Sequence, residues 1–333
     1  MTRRISNSEV QTFLSCRRKW WLAWYRGLRK TEQNPTGPLR SGSRVHSALE
    51  VLYVPEGDEP GDPLVELARV QGEDLRAYQV ACAESGLPPN DGVIKEFGKN
   101  CELEHAMIEG YLEWLEETGA DAEYEVIAPE QQLSVPAERV FGEGVHVGVE
   151  LIGKLDVRVR RVSDGARLLQ DHKTAASLTE PLKQLPQNPQ MLFYHVLEEA
   201  QAAESDEDRC VGAIYNMLKK VKRTKAAKPP FFRRELILHN DHQLASFKMQ
   251  LRGVITDMLF VEQQLSLGVA GDDIQQLTYP RPSRDCSWSC EFFQVCPAFD
   301  DGSRAEDMLT DTFEERDPLD RYRFGRDNTD SPT

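Results

Sequence analysis

Residues 153–174, "GKLDVRVRRVSDGARLLQDHKT", decide the fold. The first part alternates apolar and polar side chains with the period of a β-strand. "ARLLQDHK" reads as a buried strand ending in charge, and "SDG" between the two is a turn sequence. Folded as a hairpin, the stretch brings Asp156, near the middle of the first strand, close to Asp171 at the end of the second. Strand side chains alternate between faces, so Lys173 shares the face of Asp171 and the His172 imidazole points to the other.

Two carboxylates that meet in a largely apolar sheet repel each other and lose solvation, a penalty that a cation relieves. Mg2+ or Mn2+ suits the position, because a hard divalent ion takes carboxylate oxygens and keeps several waters. An ion with an ammonium beside it fits hydrolysis of a phosphodiester: the ion activates a water and offsets phosphate charge, while the lysine positions that water or stabilises the phosphorane. A lone Asp-x-Lys is more often a surface ion pair at a strand end, so the surrounding elements decide the reading.

Residues 6–26 are expected to form one helix, with Ser6 and Glu9 at capping-box spacing and Gly27 ending it. A second helix is expected from about Gly42 to Tyr53, with His46 beside its apolar stripe, followed by acidic helices over 64–82 and 93–117. From residue 123 the period changes to two, and "EYEVIAPEQQLSV", "VHVGVELIGKLDVRV" and "ARLLQDHK" read as three strands. A helix at 189–202, strands at 211–218 and 232–238, and a helix at 241–267 come next. This order implies an α/β fold with a mixed sheet flanked by helices. The expected organisation is one domain over 1–299, with a helical insertion at 54–122, a cysteine segment at 283–299, and a tail at 300–333 that is disordered or loosely docked.

The net charge of -15 argues against a polyanionic partner until its distribution is considered. Residues 1–53 carry ten basic and three acidic side chains, whereas residues 54–130 carry four basic and twenty acidic ones. "KKVKRTKAAKPPFFRR" (219–234) holds eight basic residues and no acidic one, which leaves room for a polyanion site on one face or for a solvated basic hairpin. No run approaches the about 20 apolar residues of a membrane span, and no apolar stretch follows the charged N-terminus. A cytoplasmic protein is expected, and its seven cysteines are then not expected to form disulfides.

"GSRVHSALE" (42–50), "GKLDVRV" (153–159), "QDHKTA" (170–175) and "QMLFY" (190–194) occur in the order of the motifs of RecB-like PD-(D/E)XK nucleases, and the chain resembles that family. Its opening helix, "SNSEVQTFLSCRRKWWLAWYRGL", and its closing "CSWSCEFFQVC" are also similar to the family's ends. The resemblance implies a restriction-endonuclease-like fold with His46, Asp156, Asp171 and the His172 backbone carbonyl as ligands of Mg2+ or Mn2+. It implies Lys173 as the catalytic lysine, with Gln190 and Tyr194, four apart on one helix face, near the active site and the DNA backbone.

In the iron-sulfur branch of this family, one cysteine from the first helix and three near the C-terminus hold a 4Fe-4S cluster. Cys16, Cys286, Cys290 and Cys296 match that pattern, and such a cluster would join the N- and C-terminal segments under Trp288, Phe292 and Phe293. Structural Zn2+ on the same thiolates is the alternative, disfavoured because zinc sites usually show a Cys-x2-Cys to Cys-x4-Cys knuckle on each side, whereas here one ligand comes from a helix and three from a single loop. The remaining Cys82, Cys101 and Cys210 are read as buried or idle thiols.

For DNA-backbone contact the best candidates are Arg17, Arg18, Lys219, Lys220, Lys222 and Arg223, with Phe231 and Phe232 available to stack on bases. The implied protein is a metal-dependent DNA exonuclease acting on single strands or duplex ends in recombination, repair, phage DNA processing or CRISPR-type adaptation. Its expected setting is a bacterial, archaeal or phage-infected cytoplasm, beside a helicase, recombinase or CRISPR adaptation partner. A non-catalytic iron-sulfur protein that binds DNA ends on the same fold is the alternative.

Overall fold

The computed structural model describes residues 2–31, 34–202, 209–269 and 271–322. The chain begins with β1 (Arg3–Ser6), α1 (Asn7–Ser15), α2 (Arg17–Trp20), a π-helical turn (Trp21–Tyr25) and β2 (Leu28–Lys30). Next come α3 (Pro38–Glu50), α4 (Pro63–Glu84) and α5 (Asp91–Thr118). Then follow β3 (Tyr124–Pro129), β4 (Gln132–Pro136), α6 (Ala137–Phe141), β5 (Val149–Lys154), β6 (Val157–Arg161) and β7 (Arg167–Ala175). After these are α7 (Pro189–Ala202), β8 (Cys210–Lys219), β9 (Phe232–Leu238), α8 (Asp241–Ser266), α9 (Asp272–Leu277), α10 (Cys286–Ser289), α11 (Ala305–Thr312) and β10 (Phe313–Glu315). Two compact units emerge: Met1–Glu32 with Ser134–Gly153 and Ala245–Thr333, and Gln33–Leu133 with Lys154–Leu244.

In the second unit five strands line up as β3-β6-β7-β8-β9. The β6–β7 hairpin is antiparallel with Val157 opposite Gln170, and its turn closes through hydrogen bonds between Arg161 and Ala166 and from Gly165 to Arg161. β8 runs parallel to β7, with Asp171 opposite Tyr215, through a crossover that carries α7; β9 returns antiparallel. The sheet is therefore mixed, as the element order implied. Val45, Leu49, Met107, Ile108 and Tyr111 of α3 and α5 pack on Val157, Val159, Leu168, Ile214 and Leu218 of the sheet. Both helices of the acidic insertion are well capped: Asp62 bonds the amides of Leu64 and Val65, and Asn90 those of Gly92 and Val93. Gly119, at φ 62°, ends α5 in the left-handed conformation that favours glycine.

In the first unit β1 pairs in parallel with β5, Ile5 opposite Leu151, in the order β1-β5-β4, and β2 pairs antiparallel with β10.

Several sequence expectations change. The helix expected over 6–26 is broken at Cys16, whose extended backbone (φ -163°, ψ 112°) separates α1 from α2, although Ser6 does cap α1 through the Glu9 amide. The strand through Asp156 is two strands: β5 ends at Lys154, β6 begins at Val157, and Asp156 sits in the break rather than mid-strand. β3 and β4 break at the same level. There Glu130 adopts φ 42° and donates its amide to the Asp156 carbonyl, while Leu155 donates to the Gln131 carbonyl. Asp171 is not at a strand end either, because β8 pairs with β7 as far as Ala175. α3 starts at Pro38, earlier than Gly42, with proline in its first turn. Within the expected loose tail, residues 300–322 carry α11 and β10, and Arg26 bonds Glu306; residues 323–333 lie outside the described residues. Among the described residues, no helix is long and apolar enough to cross a membrane.

Candidate active site

Breaking the chain at Asp156 frees its side chain from strand geometry, and the carboxylate turns toward β7. The His172 amide donates to Asp156 Oδ2 at 2.7 Å, and His46 Nδ1 of α3 lies 3.3 Å from the same oxygen. From β7 itself, Lys173 Nζ donates to Asp171 Oδ1 at 2.9 Å, and the Gln190 amide approaches that oxygen at 3.3 Å while also donating to the Tyr194 hydroxyl at 3.0 Å. Asp171 Oδ2 is buried 2.7 Å from the Lys173 ammonium, yet off the line required for a hydrogen bond. All seven expected active-site residues are thus connected: His46, Asp156, Asp171, His172, Lys173, Gln190 and Tyr194.

The two carboxylates are driven apart. Burial pushes Asp171 up to about 6, with Lys173 opposing the rise and Asp156 reinforcing it. Asp156 is buried too, but the charges on His46 and Lys173 outweigh burial and hold it well below the usual carboxylate range. His46 is raised, since Asp156 overcomes the burial that disfavours an imidazolium, and Lys173 is raised because Asp171 and Asp156 do the same for its ammonium.

Behind His172 lies a polar network that the sequence reading missed. Asn216 of β8 donates to His172 Nδ1 at 2.7 Å and to the Tyr111 hydroxyl at 2.9 Å. Arg234 of β9 reaches the Asn216 carbonyl oxygen at 3.2 Å and the hydroxyls of both Tyr53 and Tyr111 at 2.8 Å. Burial lowers His172 to about 3, so it stays neutral and accepts from Asn216. The chain fixes this side chain from behind, and with it the peptide whose amide holds Asp156. Asn216, a polar residue inside the apolar run "VGAIYNML", was the available signal.

With Lys173 turned onto Asp171 and His46 onto Asp156, no three His, Cys, Asp or Glu among the described residues are arranged to hold a metal ion as they stand. The donor set nevertheless fits a hard divalent cation: two carboxylates on adjoining chain segments, an imidazole, and a buried carboxylate oxygen without a hydrogen bond.

The four clustered cysteines come within electrostatic reach of one another, although as they stand no three of them form a metal-holding group among the described residues. Burial raises the thiols of Cys290 and Cys296, and the neighbouring Cys16 adds to both shifts. Cys16 Sγ accepts from the amides of Lys19 at 3.5 Å and Arg281 at 3.4 Å, and Cys286 Sγ from that of Ser283 at 3.3 Å. Of their expected cover, Phe292 is buried against Phe313, whereas Trp288 and Phe293 are exposed. Cys210 is buried as expected, and Cys82 and Cys101 are partly exposed.

The expected DNA contacts fare unevenly. Arg18 is 2% exposed, bonded to Asp300 and to the carbonyls of Thr278 and Cys296, so it is structural rather than available to DNA. Arg17 lies over the Phe13 ring, 4.5 Å from its centroid. Lys222 and Arg223 pair with Glu102 and Glu113 of α5, and Lys220 donates to the Pro38 carbonyl. Lys219 ends β8, its amide bonded to Phe231. Phe232 is buried and cannot stack on a base; Phe231 is half-buried.

The family model of the PD-(D/E)XK nuclease superfamily matches residues 4–297. No curated protein matches the chain. The match spans every element that supplies His46, Asp156, Asp171, Lys173 and Gln190, and the mixed α/β architecture is consistent with a restriction-endonuclease-like fold. A match of that extent, over a site with this chemistry, means that the chain belongs to the PD-(D/E)XK nuclease superfamily.

Proposed function

We propose that the protein is an Mg2+- or Mn2+-dependent deoxyribonuclease, an exonuclease acting on single-stranded DNA or at duplex ends. The reading is carried by the juxtaposition of Asp156, bonded to the His172 amide, with Asp171, bonded to Lys173 and Gln190. Asp156, Asp171, His46 and the His172 carbonyl would hold the ion, which supplies Lewis-acid stabilisation of phosphate charge and an acidified water. Lys173 brings a fixed positive charge to the scissile phosphate. Gln190 orients Asp171, and Tyr194 in turn receives the Gln190 amide. Exonucleolytic action, and a role in recombination, repair, phage DNA processing or CRISPR adaptation beside an unwinding partner, rest on the resemblance to RecB-like exonucleases.

In the same reading Cys16, Cys286, Cys290 and Cys296 hold a 4Fe-4S cluster. Backbone amides aimed at Cys16 and Cys286, and the extended residue that presents Cys16 from a broken helix, support a site built for thiolates.

The test is degradation of end-labelled DNA by anaerobically purified protein with Mg2+ or Mn2+. Wild type is expected to cleave, and Lys173→Ala and Asp156→Ala are expected to lose cleavage while retaining their fold. Equal degradation by wild type and Lys173→Ala would overturn the assignment; labels at either end report polarity.

A further inference from the structure

Between α5 and the segment that joins β8 to β9 there is a recess of about 280 Å³ lined by Trp114, Glu117, Arg223, Pro229, Phe231 and Phe232 among others. Its back wall is aromatic. The Trp114 ring stacks on Tyr111 (5.7 Å between centroids), meets Phe232 at 6.0 Å, and lies under the Arg234 guanidinium at 5.5 Å. One side is the Arg223 guanidinium, ion-paired with Glu113 and laid on Gly110 so closely that a Cβ there would stand 2.4 Å from Nε. Phe231, Pro229 and Pro230 complete the lining.

The charges around the recess decide what enters and which way round. Glu117 is the one carboxylate in the lining, so a phosphate is disfavoured inside, while a flat uncharged ring gains stacking on Phe231 and apolar contact with Trp114. Lys225 and Lys228, on the same segment, are exposed and carry no ion pair among the described residues. They are the cations left for phosphates, because Lys222 and Arg223 are engaged by α5. Base inward and backbone outward over lysines is the arrangement of single-strand binding sites. A base in duplex DNA has both faces covered by its neighbours and cannot enter. The recess also lies near the catalytic strand: Phe232 pairs with Leu218, three residues along β8 from the Tyr215 that faces Asp171, or about 10 Å.

We propose that this recess is a stacking subsite for one unpaired base of single-stranded DNA, with Lys225 and Lys228 holding the flanking phosphates. The proposal rests on the nuclease reading for its substrate and adds to it a preference for single strands.

The test measures binding of a fluorescently labelled single-stranded oligonucleotide, and of its blunt duplex, to the full chain in EDTA, so that affinity is read without cleavage. Phe231→Ala is expected to weaken the single strand about 5- to 30-fold, with the duplex changed less than about twofold. Phe231→Tyr, which keeps the ring, is expected to bind as wild type. Lys225→Ala and Lys228→Ala are each expected to lower the slope of log affinity against log salt by about 0.7. Should Phe231→Ala misfold, Phe231→Leu removes the ring while keeping apolar bulk and gives the same reading. Unchanged single-strand affinity in Phe231→Ala, or equal loss for both DNA forms, overturns the subsite. If the wild type degrades DNA while Phe231→Ala binds normally, the subsite alone fails. If the wild type neither cleaves nor binds DNA, the nuclease reading fails and the subsite with it.

Discussion

The His172 amide donates to Asp156 Oδ2 at 2.7 Å, so the residue between Asp171 and Lys173 fixes the carboxylate on the neighbouring chain segment. One three-residue stretch of β7 thereby organises the whole site: Asp171 and Lys173 by their side chains, His172 by its backbone. The His172 imidazole points the other way and is held by Asn216, which ties the site to Tyr111 and Arg234.

Asn216→Leu removes the donor to His172 and leaves its Nδ1 buried without a partner. The expected loss of stability is about 1–3 kcal/mol, read from urea denaturation midpoints. Nuclease activity should fall as well, because the His172 peptide loses its anchor. Unchanged stability and unchanged activity together would mean that the network has no hold on the site.

Arg18→Ala should act on the fold rather than on DNA affinity. It removes bonds to Asp300, Thr278 and Cys296 around a buried guanidinium. A loss of about 1–3 kcal/mol is expected, with the salt dependence of DNA binding unaltered. A shallower salt slope in this variant would return Arg18 to the DNA interface.

A buried histidine pair sets a pH dependence of stability. His195 Nε2 donates to the Cys210 carbonyl at 2.9 Å, leaving its Nδ1 to accept from His239 Nδ1 at 2.9 Å, an arrangement that requires a neutral His195. Burial, with His195 adding to it, lowers His239 from 6.5 to about 4. Between those values the unfolded chain binds more protons than the folded one, so this contribution is complete above 6.5 and is lost as pH falls toward 4. Thermal melts of wild type should weaken through that window more steeply than those of His239→Gln; parallel curves would rule out the pair as the cause.

Loss of the proposed cluster should be visible and destabilising. Anaerobic protein is expected to be brown, and Cys286→Ser is expected to bleach it and lower its melting temperature by several degrees. Retained colour in Cys286→Ser, or one equivalent of zinc and no iron by elemental analysis, would refute the iron-sulfur reading.

Much of the site was legible because it is written in local spacing. Asp171, His172 and Lys173 are consecutive, Gln190 and Tyr194 lie one helical turn apart, and a short turn joins the strands that bring Asp156 to Asp171. Period-two and period-3.6 patterns located most of the helices and strands from residue 123 onward, since they reflect which faces must be buried.

Other features depended on partners distant in sequence, which no local pattern encodes. The strand through Asp156 breaks because Glu130 and Gln131, some 25 residues upstream, bond the backbone of Asp156 and Leu155. β7 continues past its charged residues because β8 pairs with it to Ala175. Arg18, Lys222 and Arg223 were equivalent cations in the sequence, and only tertiary packing buried the first against Asp300 and gave the others to Glu102 and Glu113. By itself the sequence determined much of the order of elements and the chemical identity of the groups at the candidate site, through periodicity and short spacings. Tertiary structure alone decided which charges are left free and what anchors His172, because charge pairing and burial are set by whichever segments meet in space.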